Sequence, residues 1–198
     1  RATREQATPT IIATGSTSIM PGFLPKSERV MDSRGFLELD QLPTSMIVLG
    51  GGYIGCELAC MAAQLGTNVT IVELLEDILV LVDTDIRREV RRHMEESLGI
   101  QILTGKALTD IKVEGNAVRG MAGDHAVQGD LLLASVGRRP VTENLALQNA
   151  GLKADEKGFV PVDDYGRTSV ATVYAIGDVT GRIQLAHAAT SQGIIAAE

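Results

Sequence analysis

Two kinds of hydrophobic pattern alternate through the middle of the chain. Met46, Ile47, Val48 and Leu49 are consecutive apolar residues, and Gly50 follows at once. A short apolar run with β-branched members, closed by glycine, predicts a strand buried on both faces. From Ile54 the period changes. Ile54, Leu58, Met61 and Leu65 recur at the spacing of one helical face, and Gly66 supplies a stop. Val69, Thr70, Ile71 and Val72 then make a second buried strand that ends at Glu73. Strand, helix and strand in so short a span form a βαβ unit with a right-handed crossover.

The pattern continues with a helix over 85–98. Asp83, Thr84 and Asp85 are its candidate caps, Ile86, Val90, Met94 and Leu98 its apolar stripe, and Gly99 its end. A strand over 100–103 follows. Next comes a hairpin of strands 107–113 and 117–121 around Glu114, Gly115 and Asn116, then an apolar strand over 131–136 closed by Gly137. The two ends differ from this middle. One has a strand over 10–13 stopping at Gly15 and a loop-rich stretch over 16–42. The other has a strand over 173–176 stopping at Gly177 and a helix over 188–198. Neither end holds enough partner strands for a sheet, so both read as pieces of a neighbouring domain. Their strands are expected to pair with each other, to pair between chains, or to be disordered.

Composition narrows the function. The 198 residues are 44% hydrophobic and 22% charged, with a net charge of -7, which argues against a nucleic-acid partner. The basic cluster Arg87, Arg88, Arg91 and Arg92 is interleaved with Glu89, Glu95 and Glu96, and reads as a solvated helix face. No apolar run approaches the roughly 20 residues that span a bilayer. The first eight residues are polar and carry no signal peptide, so a cytoplasmic setting and no membrane partner are expected. The chain does not start with Met, which reads as a processed piece or equally as an excised Met. Cys56 and Cys60 lie on one helical face, with no further ligands for zinc, and are expected to be buried, unreactive thiols.

The candidate chemistry is in the glycines. Gly50, Gly51, Gly52, Tyr53, Ile54 and Gly55 satisfy G-x-G-x-x-G. Alone this pattern is weak. Here it follows a strand, opens a helix, and has the acid Glu73 at the end of the next strand, as dinucleotide binding requires. Gly50 permits the tight turn, Gly52 lets the backbone approach a diphosphate, and Gly55 lets the helix pack close to the strand. The helix N-terminus offers N–H groups and a positive dipole end to the phosphates. Glu73 would accept from ribose hydroxyls and repel a 2′-phosphate, which favours NAD over NADP. These residues alone leave open whether the nucleotide is NAD or the adenosine part of a flavin.

Several further segments occur in order: Ile12 to Ser16, the glycine motif running on to Cys56 and Glu57, Val72 with Glu73, Val136 to Pro140, Tyr174 to Asp178, and Leu185 to His187. Together they resemble the signatures of the pyridine nucleotide–disulfide oxidoreductases, over essentially the whole chain. Within that family they are most similar to the dihydrolipoamide dehydrogenases.

The resemblance implies an α/β fold: a Rossmann-like three-layer parallel sheet with a β-hairpin or meander crossover, the NAD domain being inserted into an FAD domain. It implies a partial FAD-binding segment over 1–44, the NAD-binding domain over 45–143, and a second FAD-binding segment over 144–198. It assigns the residues from Gly50 to Glu57, with Cys56 between, to NAD together with Glu73, Ala107 and Gly137. Thr14, Gly15, Ser16, Asp178, Gln184, Leu185, Ala186 and His187 would touch FAD, or else Asp178 is a strand-end cap and His187 a helix-start residue. Glu57 would sit where nicotinamide meets flavin, or else simply complement the helix dipole. Tyr53 would close over the nicotinamide pocket, or else pack with its hydroxyl in water. Arg138 and Arg139 would have a positioning role, or else form a simple exposed basic pair. Expected partners are NAD(H), a lipoyl-bearing protein of a 2-oxoacid dehydrogenase complex, and a second subunit in a homodimer.

The family's redox-active Cys-x4-Cys pair, its first FAD glycine motif and its catalytic His–Glu pair are absent from these residues. The piece is therefore expected to be inactive alone, to carry no catalytic residue, and to leave FAD to the complete enzyme. Rival readings are another NADH-linked flavoprotein disulfide reductase, an NADH oxidase, a non-enzymatic NAD-sensing module and a purely structural domain.

Overall fold

The computed structural model describes residues 9–198, so residues 1–8 of the expected 1–44 segment lie outside the described residues. The chain divides into two compact units. One comprises Ser18–Gly137, and the other the described residues up to Thr17 together with Arg138–Glu198.

In the Ser18–Gly137 unit, five parallel strands lie in the spatial order Val30–Met31, Leu131–Ala134, Ser45–Leu49, Asn68–Val72, Gln101–Leu103. The period-2 alternation of side chains divides these strands between two cores. Met46, Val48, Ile71 and Leu133 point to one face and pack with Leu58, Ala59 and Ala62 of the helix Tyr53–Gln64. Ile47, Leu49, Val72 and Leu132 point to the other face and pack with Leu108, Val118, Ala122 and Val127. Each fully buried Ile, Val or Leu contributes about 1.5–3 kcal/mol, which is why near-continuous apolar strands occupy the centre. The second face is covered by an antiparallel meander of Leu108–Glu114, Ala117–Ala122 and His125–Gly129. Helices, parallel sheet and meander make the three layers expected of this α/β fold.

Several details depart from the pattern. The stretch 16–42 is not simply loop. It holds Ser16–Ser18, the sheet strand Val30–Met31, and a short helix Ser33–Leu37 whose N-cap Asp32 accepts from Gly35 N–H at 3.0 Å. The compact unit thus begins well before residue 45. In the helix Tyr53–Gln64 the buried face is Gly55, Cys56, Leu58, Ala59 and Ala62, whereas Leu65 is 65% exposed. Small side chains let this helix approach the sheet closely, and that demand outweighs the apolar period. The next helix, Thr84–Arg92, widens into a π-helical turn, His93–Ser97, that buries Met94, while Ile86 stays exposed.

In the other unit, Thr10–Ile12 pairs in parallel with Val173–Ala175, the first of the three outcomes expected for these strands. Ser16–Ser18 pairs with Arg138–Pro140. A small core of Val160, Ala175 and Val179 lies beneath, and the chain ends in the helix Ala186–Ala197. No helix among the described residues is long and apolar enough to cross a membrane.

Candidate functional site

Within Ser18–Gly137, the glycine motif sits at the carboxyl end of the strand Ser45–Leu49 and leads directly into the helix Tyr53–Gln64. Gly50 turns the chain at φ +107°, and a Cβ there would lie 2.6 Å from Ser135 O. Gly55 lies so near Gly50 O that a Cβ would overlap it, and would also stand 2.7 Å from Ser135 Oγ. Turn and close approach therefore both require glycine here.

Gly51 is held from two sides. Its N–H donates to Glu73 Oε2 at 2.5 Å, and its carbonyl accepts from Leu79 N–H at 2.8 Å and from Cys56 Sγ at 3.4 Å. Gly52 is the N-cap, extended at φ -77° with no capping side chain, and nothing lies within 4 Å of where its Cβ would be. The open face of the helix N-terminus thus lies at Gly52.

Glu73 stands beside this loop at the end of Asn68–Val72, and its Oε1 also accepts from Leu75 N–H at 2.7 Å. A carboxylate has about four lone-pair sites, so two amide donors leave acceptor capacity for hydroxyls. Tyr53 is 55% exposed on the first helical turn and Glu57 is exposed one turn later, whereas Ile54 is half-buried. Cys56 is buried. Burial first, and then the neighbouring Cys60 and carboxylates, push its thiol up to about 12, while burial raises Cys60 as well. Neither is in a disulfide. Cys56 can reach a ligand only through its backbone.

Ala107 lines a cavity of about 590 Å³ together with Leu49, Leu74, Lys106, Phe23 and Val136. That volume is in the range of small-molecule sites. Gly137, at φ +126°, directly follows Val136. Ser135, which the sequence pattern did not single out, bridges the loop by donating to Leu49 O and Gly50 O, both at 3.0 Å. Its only sequence signal is its place between the apolar strand and Gly137.

The arginines on the helix Thr84–Arg92 are not one solvated face. Arg87 and Arg91 turn inward onto Asp77, at 3.0 and 2.7 Å, while Arg91 also pairs with Glu95 at 3.2 Å and Arg92 pairs at the surface with Glu89.

In the other unit, Thr14, Gly15, Ser16 and Asp178 come together. Thr14 Oγ1 donates to Val141 O at 2.6 Å, and Gly15 turns at φ +70°. Ser16 Oγ donates to Asp178 Oδ2 at 2.5 Å, and Arg138 donates to Ser16 Oγ and to Ser16 O, at 2.6 and 2.7 Å. The Arg138–Arg139 pair therefore splits: Arg138 joins this network, while Arg139 pairs at the surface with Glu143. Gln184, Leu185, Ala186 and His187 are exposed at the start of the helix Ala186–Ala197, where Leu185 holds the N-cap position.

The family described as pyridine nucleotide-disulphide oxidoreductase matches residues 2–193. A dihydrolipoyl dehydrogenase of Haloferax volcanii is 44% identical over 195 residues, covering 95% of this chain and 41% of that protein. One of Chlamydia pneumoniae is 40% identical over 189 residues, with the same coverage of 95% and 41%. Among solved structures, the Cu(II) complex of an HOCl-induced flavoprotein disulfide reductase of Escherichia coli superposes with a TM-score of 0.87 at 32% identity, covering 94% of this chain and 42% of that one. LpdA of Mycobacterium tuberculosis superposes at 0.85 with 30% identity, covering 94% and 41%. The chain spans about two fifths of the curated relatives it matches.

Proposed function

Because this chain belongs to the pyridine nucleotide-disulphide oxidoreductase family, we propose that it is the NAD-binding portion of a dihydrolipoamide dehydrogenase, flanked by pieces of the FAD-binding domain. The observation that carries this reading is the loop at 50–55. Its outer glycines are forced by close approach, its Gly52 opens to solvent at a helix N-terminus, and Glu73 lies alongside.

The residues fit a dinucleotide. Backbone N–H groups at the start of Tyr53–Gln64 point toward the open face without a capping side chain, a donor set suited to a diphosphate. Glu73 would take the adenosine ribose hydroxyls on its remaining lone pairs, and its charge would disfavour a 2′-phosphate. Ala107 and Gly137 would line the same groove, while Tyr53, Ile54 and Glu57 would face the nicotinamide end. In the flanking unit, Thr14, Gly15, Ser16 and Asp178, with the backbone of residues 184–187, would hold FAD. Arg138 would fix Ser16 and Asp178 in place for it.

In the complete enzyme, a dihydrolipoyl dithiol on a 2-oxoacid dehydrogenase complex closes to a disulfide, two electrons and a proton pass to NAD as hydride, and a second proton is released. FAD supplies the two-electron relay between dithiol and nicotinamide. This chain's own task is binding and orientation. The two cysteines present lie four residues apart on a helix with raised thiol pKa values, and do not provide the redox pair. The chain alone is thus proposed to bind NADH without lipoamide turnover. The complete enzyme is proposed to be a cytoplasmic homodimer. Similarity to the Escherichia coli flavoprotein disulfide reductase supports a second reading, another NADH-linked disulfide reductase with the same nucleotide chemistry.

The test is titration of the chain with NADH and NADPH, followed by nicotinamide fluorescence. NADH should bind in preference to NADPH. Glu73→Gln should weaken NADH by roughly tenfold, the loss of about 1.5 kcal/mol in charged hydrogen bonds. A chain that gives no saturable signal with NADH, or binds both nucleotides equally, refutes the proposal.

A further inference from the structure

We propose that Asp77 is a positioning residue for the dinucleotide loop: by clamping segment 77–79 to the helix Thr84–Arg92, it sets the direction of the Gly52 N–H without itself reaching the ligand. This inference rests on the nucleotide reading of the glycine loop and extends it to residues outside the motif.

Asp77 Oδ2 accepts from Arg87 Nε at 3.0 Å, and Asp77 Oδ1 accepts from Arg91 Nη1 at 2.7 Å and from the Ile78 N–H at 2.9 Å. Arg87 and Arg91 stand one helical turn apart, so a single carboxylate ties the loop to two turns of the helix. Glu95 braces Arg91 from the far side at 3.2 Å. The next two residues do the work at the glycines. Ile78 is completely buried, and its Cγ2 would lie 2.6 Å from a Cβ on Gly51. Leu79, a non-glycine residue in the left-handed region at φ +50°, donates its N–H to Gly51 O at 2.8 Å. A leucine keeps that backbone conformation only where its surroundings over-determine it, and the Asp77 clamp lies two residues away.

The Gly51 carbonyl and the Gly52 N–H belong to one planar trans peptide, so they point in opposite directions. Holding the carbonyl inward on Leu79 therefore turns the Gly52 N–H outward, to the side where a Cβ on Gly52 would meet nothing within 4 Å. Glu73 fixes the preceding peptide through the Gly51 N–H. Two successive peptide planes of the loop are thus set by the segment that follows the acidic strand, and the helix Thr84–Arg92 holds that segment still.

The experiment compares the 198-residue chain with Asp77→Ala, Asp77→Asn, Arg91→Ala and, as control, Glu89→Ala, whose carboxylate pairs only at the surface with Arg92. Two quantities are read: the NADH dissociation constant at a temperature where every protein is fully folded, and the amide resonance of Gly52 without nucleotide. Asp77→Ala should weaken NADH by about tenfold, within the range for coupled neighbours, and should shift the Gly52 amide. Asp77→Asn should recover part of both, and Glu89→Ala should change neither. Asp77→Ala and Arg91→Ala should combine non-additively. An Asp77→Ala protein with lowered stability but unchanged NADH binding and an unmoved Gly52 amide overturns the inference, because that is the signature of a purely structural salt bridge. If Asp77→Ala does not fold, Arg91→Ala and Asp77→Asn carry the same two readouts. Should the unaltered chain fail to bind NADH, the nucleotide reading falls, and this inference with it. Should it bind while the variants bind equally well, only the inference falls.

Discussion

Replacing Gly52 and Gly55 by alanine, one at a time, separates what the fold needs from what the ligand needs. At Gly55 the new methyl would overlap the backbone carbonyl of Gly50 and stand 2.7 Å from Ser135 Oγ. The hydroxyl can rotate away, at the expense of its 3.0 Å bonds to Leu49 O and Gly50 O, but the carbonyl is fixed by the turn. Overpacking of this kind costs about 1–3 kcal/mol, which lowers Tm by roughly 2–12 °C for a chain of this size. At Gly52 the backbone is extended at φ -77° and a methyl meets nothing within 4 Å. Reduced freedom of the unfolded chain stabilises by about 0.4–1 kcal/mol. Alanine is a poorer N-cap than glycine by a comparable amount, so Tm should stay within about 2 °C of the unaltered protein. Yet that methyl would occupy the space from which a diphosphate approaches the helix N-terminus. Gly52→Ala should therefore weaken NADH by about tenfold or more, some 1.4 kcal/mol, while melting normally. Differential scanning fluorimetry and NADH fluorescence titration on the same samples read both quantities. Normal NADH affinity in Gly52→Ala would mean that no diphosphate sits there. Normal melting in Gly55→Ala would show that close helix–strand approach is not why glycine occupies that site.

Two predictions concern ionisation. The Cys56 thiol, pushed up to about 12 chiefly by burial, should resist alkylation at pH 8 in the native chain and react readily once unfolded. Its folded value lies above the ordinary 9.0, so its contribution to stability is complete below pH 9.0 and is lost as pH rises toward 12, visible as a falling urea midpoint that Cys56→Ala lacks. Around Asp77, burial opposes ionisation, but hydrogen bonds from Arg91 and the Ile78 N–H and the charges of both arginines outweigh it and hold the carboxyl below its ordinary 3.8. That stabilisation is present above pH 3.8 and disappears as pH falls through the lower folded value, so Asp77→Asn should lose less stability between pH 4 and pH 2 than the unaltered chain. Equal acid sensitivity would contradict this account.

The features legible in the sequence are those set by local pattern. Four buried residues in a row announced the strand Ser45–Leu49, and glycines with fixed geometric duties announced the turn after it. What escaped was set by partners distant in the chain. Val30–Met31 is a strand only because Leu131–Ala134 lies beside it, and two residues show no period. His125–Gly129 buries only Val127 and Gly129, too weak an alternation to separate from a loop. Leu65 departs from the expected buried face because hydrophobicity weighs leucine above Ala59 and Ala62, whereas close packing against a sheet favours the small residues. Within the site, the motif showed which residues form the loop. It did not reveal Ser135, whose hydroxyl braces the turn, or Asp77, whose charge partners lie on the next helix.

The strands Ser16–Ser18 and Arg138–Pro140 run side by side, and Ile19 N–H donates to Gly137 O at 3.0 Å. The stretch between them therefore starts and ends at neighbouring points of the chain, a neck closed by that hydrogen bond. Closing such a neck depends only slowly on the length enclosed. Whatever is enclosed is thus free to grow, shrink or be exchanged as a cassette, with no change of register demanded of the flanking strands.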